Sequence, residues 1–321
     1  MARIGYHASH EQFAPDALLR LARAAEAAGF AALSCSDHFH PWSERQGHSG
    51  HAWTWLGAAL ASTALPAGTV CCPFGRYHPA VIAQAAATLA MLFPGRFWLS
   101  LGSGEALNEH ITGRPWPSKE MRNAALTASA EILRALWRGE EVSCDGPVRV
   151  DRARLYSRPE RPPLLLGAAL TEETARRTAE WADGLITVAA EHDTLRAVIG
   201  AFRERAGAGR PVYVQAKIAY SAHGDAAARA LAFDQWRTNV FDSEIAADTE
   251  TTAQFDALAA RVRPEHLDAH VRISGDPGRH AAWLAADLDA GADVVLVHNV
   301  GTNQDEAIAA FAERVLPMLP T

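Results

Sequence analysis

The sequence predicts an α/β fold, a (β/α)8 TIM barrel with insertions at its mouth, and three observations carry that reading. Short apolar runs alternate with helical patterns along nearly the whole chain. Those runs are apolar throughout, as parallel strands covered by helices are. About eight of them can be counted, enough for a sheet to close on itself. An open doubly wound sheet is the competing fold, but no early strand runs into the Gly-x-Gly-x-x-Gly turn that would open a dinucleotide-binding helix.

The elements follow in order. Arg3 to Tyr6 is a first strand, and Pro15 to Ala28 carries apolar residues at helical spacing until Gly29 stops it. Ala31 to Cys35 is a second strand. Thr54 to Ser62 reads as a helix, Gly68 to Cys72 as a third strand, and Pro79 to Leu92 as a helix with proline in its first turn. Phe97 to Leu101 is the clearest buried strand, ending on Gly102-Ser103-Gly104-Glu105. A helix from about Met121 to Arg138 precedes an irregular stretch, 139–158, with short β-like pieces. Strand Pro163 to Leu166, helix Glu172 to Trp181, strand Leu185 to Val188, helix Thr194 to Arg205 and strand Val212 to Tyr220 come next. Residues 225–270 are mostly helical and longer than one crossover needs, so they read as a second insertion over the barrel mouth. Helix Pro277 to Ala290, strand Asp293 to His298 and helix Asp305 to Leu316 complete the chain.

Length and composition bound the function. A chain of 321 residues is read as one domain, 1–321, because barrels of this kind run to about 250 residues or more as a single unit. Its apolar fraction of 49% and charged fraction of 21% are those of a globular protein with a sizeable core. A formal net charge of −7 without a Lys/Arg run argues against a nucleic-acid partner. There is no apolar stretch near the ~20 residues of a membrane span, nor an export pattern at the N-terminus, so a cytoplasmic location is expected. Cys35, Cys71, Cys72 and Cys144 lack both Cys-x-x-Cys spacing and disulfide density, and read as reduced and mostly buried.

The chemistry concentrates in Ser36-Asp37-His38-Phe39-His40-Pro41-Trp42, at the carboxyl end of the second strand, where barrel active sites are built. His38 suits hydrogen-bond donation or proton exchange, since imidazole titrates closest to neutrality; the structural alternative is a histidine satisfied by Asp37 or a backbone carbonyl. Trp42 suits a wall that stacks on a planar ligand or excludes water, or simple packing. Glu105 follows the best strand directly; a carboxyl facing a ring in a dry cavity can shuttle a proton, whereas at a helix start it would only complement the helix dipole. His38-x-His40, with His7, His10, His48 and His51 nearby, raises a metal-dependent hydrolase. Pro41 breaks the strand that would align the two imidazoles, and later strand ends offer little beyond Lys217 and His298, so no metal is assigned.

Four segments then carry a family resemblance: Gly5 to Phe13 (GYHASHEQF), Ser36 to Trp42 (SDHFHPW), Arg76 to Gln84 (RYHPAVIAQ) and Gly102 to Glu109 (GSGEALNE). In this order they resemble the luciferase-like superfamily of flavin and deazaflavin enzymes, specifically the clade of coenzyme F420-dependent glucose-6-phosphate dehydrogenases. They also resemble a branch suspected of using FMN. The resemblance implies a (β/α)8 barrel with an isoalloxazine-like ring at its C-terminal mouth, His38 and Glu105 as an acid/base pair, and Trp42 as the aromatic wall. It further implies that Asp37, Val70, Cys71, Cys72, Ser103, Gly104, Asn108, Ala168, Ala169, Thr171 and Val188 lie at the cofactor, with a non-proline cis peptide at Val70-Cys71. A homodimer is plausible for such a family.

The departures shape the functional expectation. The family's glycine pair at the cofactor phosphate falls near Leu170-Thr171, leaving a helix N-terminus as the remaining anion site. Thr187 to Glu191 lacks the lysine that helps hold a sugar phosphate, and Arg272 does not align cleanly with the family's phosphate-binding arginine. A dianion would lose charge-assisted bonds. The expectation is an oxidoreductase moving hydride between a bound FMN or coenzyme F420, with a slight preference for FMN, and a small organic substrate other than glucose 6-phosphate. An FMN-dependent monooxygenase using O2 is the near alternative; a metal-dependent barrel hydrolase and a flavin-binding protein without turnover stand further off. Trp53 and Trp55 are expected to join Trp42 in excluding water.

Overall fold

The computed structural model describes residues 3–319. Its strands among those residues are β1 (Arg3–Ala8), β2 (Ala32–Cys35), β3 (Ala67–Cys71), β4 (Phe97–Leu101), β5 (Val142–Asp145), β6 (Arg149–Ala153), β7 (Leu164–Ala168), β8 (Gly184–Val188), β9 (Val212–Tyr220), β10 (Arg272–Ser274) and β11 (Val294–Asn299). Eight of them close a parallel barrel in the order β1-β2-β3-β4-β7-β8-β9-β11, with β11 pairing back onto β1. The two irregular pieces of the 139–158 stretch, β5 and β6, pair with each other as an antiparallel hairpin outside the barrel.

Alternation along each strand explains the composition. One set of side chains, including Leu33, Leu99, Leu165, Val214 and Val295, packs outward against the helices. The other set fills the barrel: Ala32, Trp98, Leu166, Ile186, Tyr213, Val294 and Leu296 form one inner cluster. The Trp98 indole takes so much of that space that a Cβ on Gly68, its partner in register across β3 and β4, would lie 2.2 Å from the ring. Glycine there is a packing requirement.

One layer higher, the interior divides into two halves. On β11, β1 and β2 it is filled by buried His298, His7 and Ser34. On β3, β7, β8 and β9 the corresponding inward positions, Val70, Ala168, Val188 and Lys217, are half-buried or exposed. The open space of the barrel mouth therefore lies on the β3-to-β9 side.

The helices start and stop as their caps dictate. Pro15 and Pro79 open their helices, Ser118 accepts from the Met121 amide to start Lys119–Arg138, and Gly139 (φ 87°) ends it. Two helices are shorter than their periodicity suggests. Glu172–Thr178 stops a turn before Trp181, and the last helix, Gln304–Ala310, widens into a π turn at Phe311–Val315. The three residues of β10, paired onto the upper end of β9, were not expected as a strand.

Residues 225–269 form helices Asp225–Trp236, Ser243–Asp248 and Thr252–Ala259 with short 3-10 turns. They dock on the loop that follows β2. Phe255 meets Trp42 edge-on at 5.1 Å, Ser43 donates to Asp256 (2.6 Å), and Gln46 donates to the Gln235 carbonyl (3.1 Å). An edge-to-face aromatic contact of this kind adds about 0.5 to 1.5 kcal/mol beyond its buried area. No described helix is long and apolar enough to cross a membrane.

Candidate active site

His38 leaves the end of β2 and stands between two carboxylates. Its Nδ1 is 3.1 Å from Oε1 of Glu11, and its Nε2 is 3.8 Å from Oε2 of Glu105. The first contact is at ion-pair distance but off the line of a straight hydrogen bond. Glu11, buried just beyond β1, is held by the hydroxyls of Ser36 (2.6 Å) and Ser9 (2.8 Å), both donating to its Oε2. Burial alone would push its carboxyl up; the facing His38 and the two hydroxyls outweigh that and hold it below the usual carboxylate value. Glu11 is the residue that sequence reasoning passed over as a site member, although it lies within the first matching segment.

Glu105 faces the same imidazole from the other side. Burial pushes its carboxyl above the ordinary value, the charge of Glu11 adds to that push, and His38 and Lys217 work against it. Its side chain keeps 31% of its surface open to the mouth. Glu105 precedes the short helix Ala106–Glu109, whose Asn108 ties the two loops together. The Asn108 carbonyl oxygen accepts from the Phe39 amide (2.9 Å), and its Nδ2 donates to Glu105 Oε2 (3.3 Å).

Trp42 covers His38, with ring centres 5.0 Å apart and an edge-on tilt of 62°. Trp53 and Trp55 do not share that duty. Trp53 packs on Phe97, and Trp55 packs on His10 and donates to the Pro15 carbonyl (3.1 Å), so both belong to the core between helix and barrel.

A buried ion network fixes the loops behind the pair. Arg76 reaches Asp37 Oδ1 (2.9 Å) and Glu109 Oε1 (3.0 Å), and its backbone amide donates to Glu109 Oε2 (2.7 Å). Tyr77 adds a hydroxyl to Asp37 Oδ1 (3.1 Å). The second oxygen of Asp37, Oδ2, is buried with no partner among the described residues. A buried carboxylate oxygen left unpaired is costly.

Of the other residues singled out in the sequence, Val70, Ser103, Gly104, Ala168 and Val188 line or border the open half of the mouth. Ser103 makes no side-chain hydrogen bond to a described residue. Cys71, Cys72 and Ala169 are buried, with the Cys72 thiol turned onto the Phe74 carbonyl (3.0 Å), so only their backbones could face a ligand. Val70 and Cys71 continue the β3 ladder opposite Ser100 and Leu101, and every peptide bond among the described residues is trans. The cis bond expected at Val70-Cys71 is absent, as an extended ladder in register requires no such bend. Thr171 spends its hydroxyl capping its own helix through the Thr174 amide (3.2 Å). That helix has seven residues with Glu172 and Glu173 in its first turn, so it does not offer the anion site expected of it.

The imidazoles do not gather as metal ligands. The His40 ring bonds the Leu107 carbonyl (3.0 Å) and stacks on His110, and among the described residues no three His, Cys, Asp or Glu side chains are placed to hold an ion.

This geometry has counterparts. The model of the luciferase-like monooxygenase family matches residues 1–294. The chain belongs to the luciferase-like family. Among relatives of this luciferase-like protein, an F420-dependent glucose-6-phosphate dehydrogenase of Beutenbergia cavernae is 35% identical over 331 residues, covering 99% of this chain and 98% of that one. An F420-dependent hydroxymycolic acid dehydrogenase of Mycobacterium tuberculosis is 36% identical over 322 residues, covering 98% and 88%. A solved F420-dependent secondary alcohol dehydrogenase, in complex with an F420-acetone adduct, superposes with a TM-score of 0.91 at 28% identity, covering 100% and 99%. The luciferase-like chain is thus an oxidoreductase of a family whose relatives use F420.

Proposed function

We propose that this luciferase-like enzyme is a coenzyme F420-dependent dehydrogenase that interconverts a small alcohol and its carbonyl product. The observation that carries the reading is the placement of His38 between two carboxylates, with Nδ1 3.1 Å from Glu11 and Nε2 3.8 Å from Glu105. The relatives named above reverse the lean toward FMN that the altered phosphate segment suggested.

The residues present fit a flat ring. A Cβ on Gly102 would fall 3.4 Å from Val70 and 3.8 Å from Ala168, so three small groups share one wall, with Val188 further along it. Val70, Ala168, Val188 and the backbone of Ser103 and Gly104 would hold the ring, and Asp37 Oδ2 would take a donor from it. When bound, the deazaflavin supplies the hydride acceptor or donor.

The chain's own residues manage the protons. With Nδ1 beside the Glu11 carboxylate, His38 presents Nε2, on the Glu105 side, as the base for the substrate hydroxyl. Glu105, whose carboxyl burial pushes above the ordinary value, provides a second proton position at Oε2. Trp42, backed by Phe255, keeps water off His38. Glucose 6-phosphate is disfavoured as substrate because Arg272 is committed to buried Asp287, with Nη2 2.8 Å from Oδ1.

The test is an anaerobic titration with F420 and with FMN, followed by tryptophan quenching, and then reduction of bound F420 by an alcohol panel. A complex with F420 and loss of turnover in His38→Ala are expected. Binding of FMN alone, with oxygen consumed on reduction, would replace the proposal by a monooxygenase.

A further inference from the structure

The basic residues of this chain are thirty in number, and two of them, Lys119 and Lys217, are lysines. Lys119 is an exposed partner of Glu244. Lys217 is inside the barrel. It follows Tyr213 and Gln215 on the inward row of β9, in register with His298 on β11, at the edge of the open half of the mouth. Arginine forms nearly all of the molecule's structural ion pairs, as at Arg76 and Arg272. Lys217 forms none: no described carboxylate oxygen lies within 4.0 Å of its Nζ and no described group accepts a hydrogen bond from it. Its contact is with the Trp236 indole, 5.7 Å from Nζ to ring centre.

The described residues supply no acceptor to the three donors of this half-buried ammonium, which leaves them to solvent or to a bound group. Burial pushes Lys217 down from the usual lysine value, and the charge of Glu105 opposes that without touching it. The cation thus feels the Glu105 charge across the barrel mouth but forms no ion pair with it. An arginine here would bring a longer, planar group; lysine leaves room and a compact point charge.

We infer that Lys217 anchors an anionic group of the substrate, and that the substrate class is a small secondary alcohol or ketone bearing a carboxylate. The inference rests on the dehydrogenase reading for the reacting carbon and on Lys217 for the anion. A single ammonium suits a monoanion, which is consistent with the loss of the cations that would hold a phosphate dianion.

With two lysines, the ε-carbon resonances of protein labelled with 13C-lysine are few enough to assign by Lys217→Met. The probes are pyruvate, 2-oxobutyrate and phenylpyruvate, each against the ketone in which a methyl group replaces the carboxylate: acetone, butanone and phenylacetone. The Lys217 resonance is expected to shift with at least one acid and not with its ketone. In F420-linked turnover the matching hydroxy acid should exceed the plain secondary alcohol in kcat/KM by about tenfold or more. Lys217→Met should abolish that preference, and Lys217→Arg should keep part of it. No shift with any acid, equal shifts from acid and ketone, or a preference that survives in Lys217→Met would overturn the inference. The resonance measurement needs no cofactor. Failure of F420 to bind therefore removes the dehydrogenase reading alone.

Discussion

The Glu11 carboxylate stands 3.1 Å from Nδ1 of His38, on the side of the imidazole opposite Glu105. Glu11 is fixed by two serine hydroxyls, whereas Glu105 is held by one long amide contact from Asn108. In the proposed reaction one carboxylate is the support and the other the group that exchanges a proton.

Glu11→Gln keeps the size of the support and removes its charge. We expect kcat to fall about 10- to 100-fold, by analogy with the loss of a carboxylate that orients a metal-bound histidine, with F420 affinity unchanged. The same variant reports on acid stability. The Glu11 carboxyl lies below its ordinary value in the folded chain, so it stabilises the fold above that value and the contribution is lost as pH falls. Thermal midpoints should drop less steeply below pH 4.5 in Glu11→Gln than in the parent.

Glu105 has the opposite sign. Its folded carboxyl is raised above 4.5, so the native state keeps a proton that the unfolded chain has released, and stability declines as pH rises through that window. Glu105→Gln should gain in relative thermal midpoint from acid toward neutral pH while losing turnover. It should also lose any limb of the kcat profile that lies above the ordinary carboxylate range. A parallel stability offset at every pH would count against a raised carboxyl.

Arg76→Met leaves Asp37 and Glu109 buried without their cation. Breaking one partner of a buried pair costs about 3 to 5 kcal/mol, which urea or thermal unfolding would read directly. Arg76→Lys should recover part of it, since one ammonium cannot match the separate contacts that the guanidinium makes to two acids.

Leu170, near which the family resemblance implies a glycine pair beside the cofactor phosphate, is 54% exposed. Leu170→Gly removes that apolar side chain and frees the backbone for close approach. A gain of one backbone donor, about 0.5 to 1.5 kcal/mol, corresponds to F420 bound about 2- to 10-fold more tightly, measured by tryptophan quenching. Unchanged affinity would place the phosphate elsewhere on the protein.

The barrel was legible because strands covered on both faces read as apolar runs, and because Gly29 and Gly139 mark helix ends that the structure keeps. β10 was not, since three residues beginning with Arg272 carry no periodicity. The pairing of His38 with Glu105 follows from two strand ends on one barrel rim. Glu11 was harder: its partners are short hydroxyls at 9 and 36 and an imidazole at 38, and nothing in spacing distinguishes it from a solvated acid. The histidine-carboxylate order just after β1 was the available signal. Trp53 and Trp55 show the converse error, because an indole on a helix reads equally as core or as cavity wall until the helix face is known. The Leu170-Thr171 change was visible as chemistry, but the brevity of the helix behind it was not.

The layer above Trp98 is stoppered on the side of β11, β1 and β2 by His298, His7 and Ser34, the last two joined at 2.8 Å. A visiting molecule is thereby pushed off the barrel axis, beneath the helices of residues 225–269. Acceptance of bulkier or differently shaped guests can then evolve by remodelling that overhang, while the imidazole and its two acids stay anchored to the strand ends of the barrel.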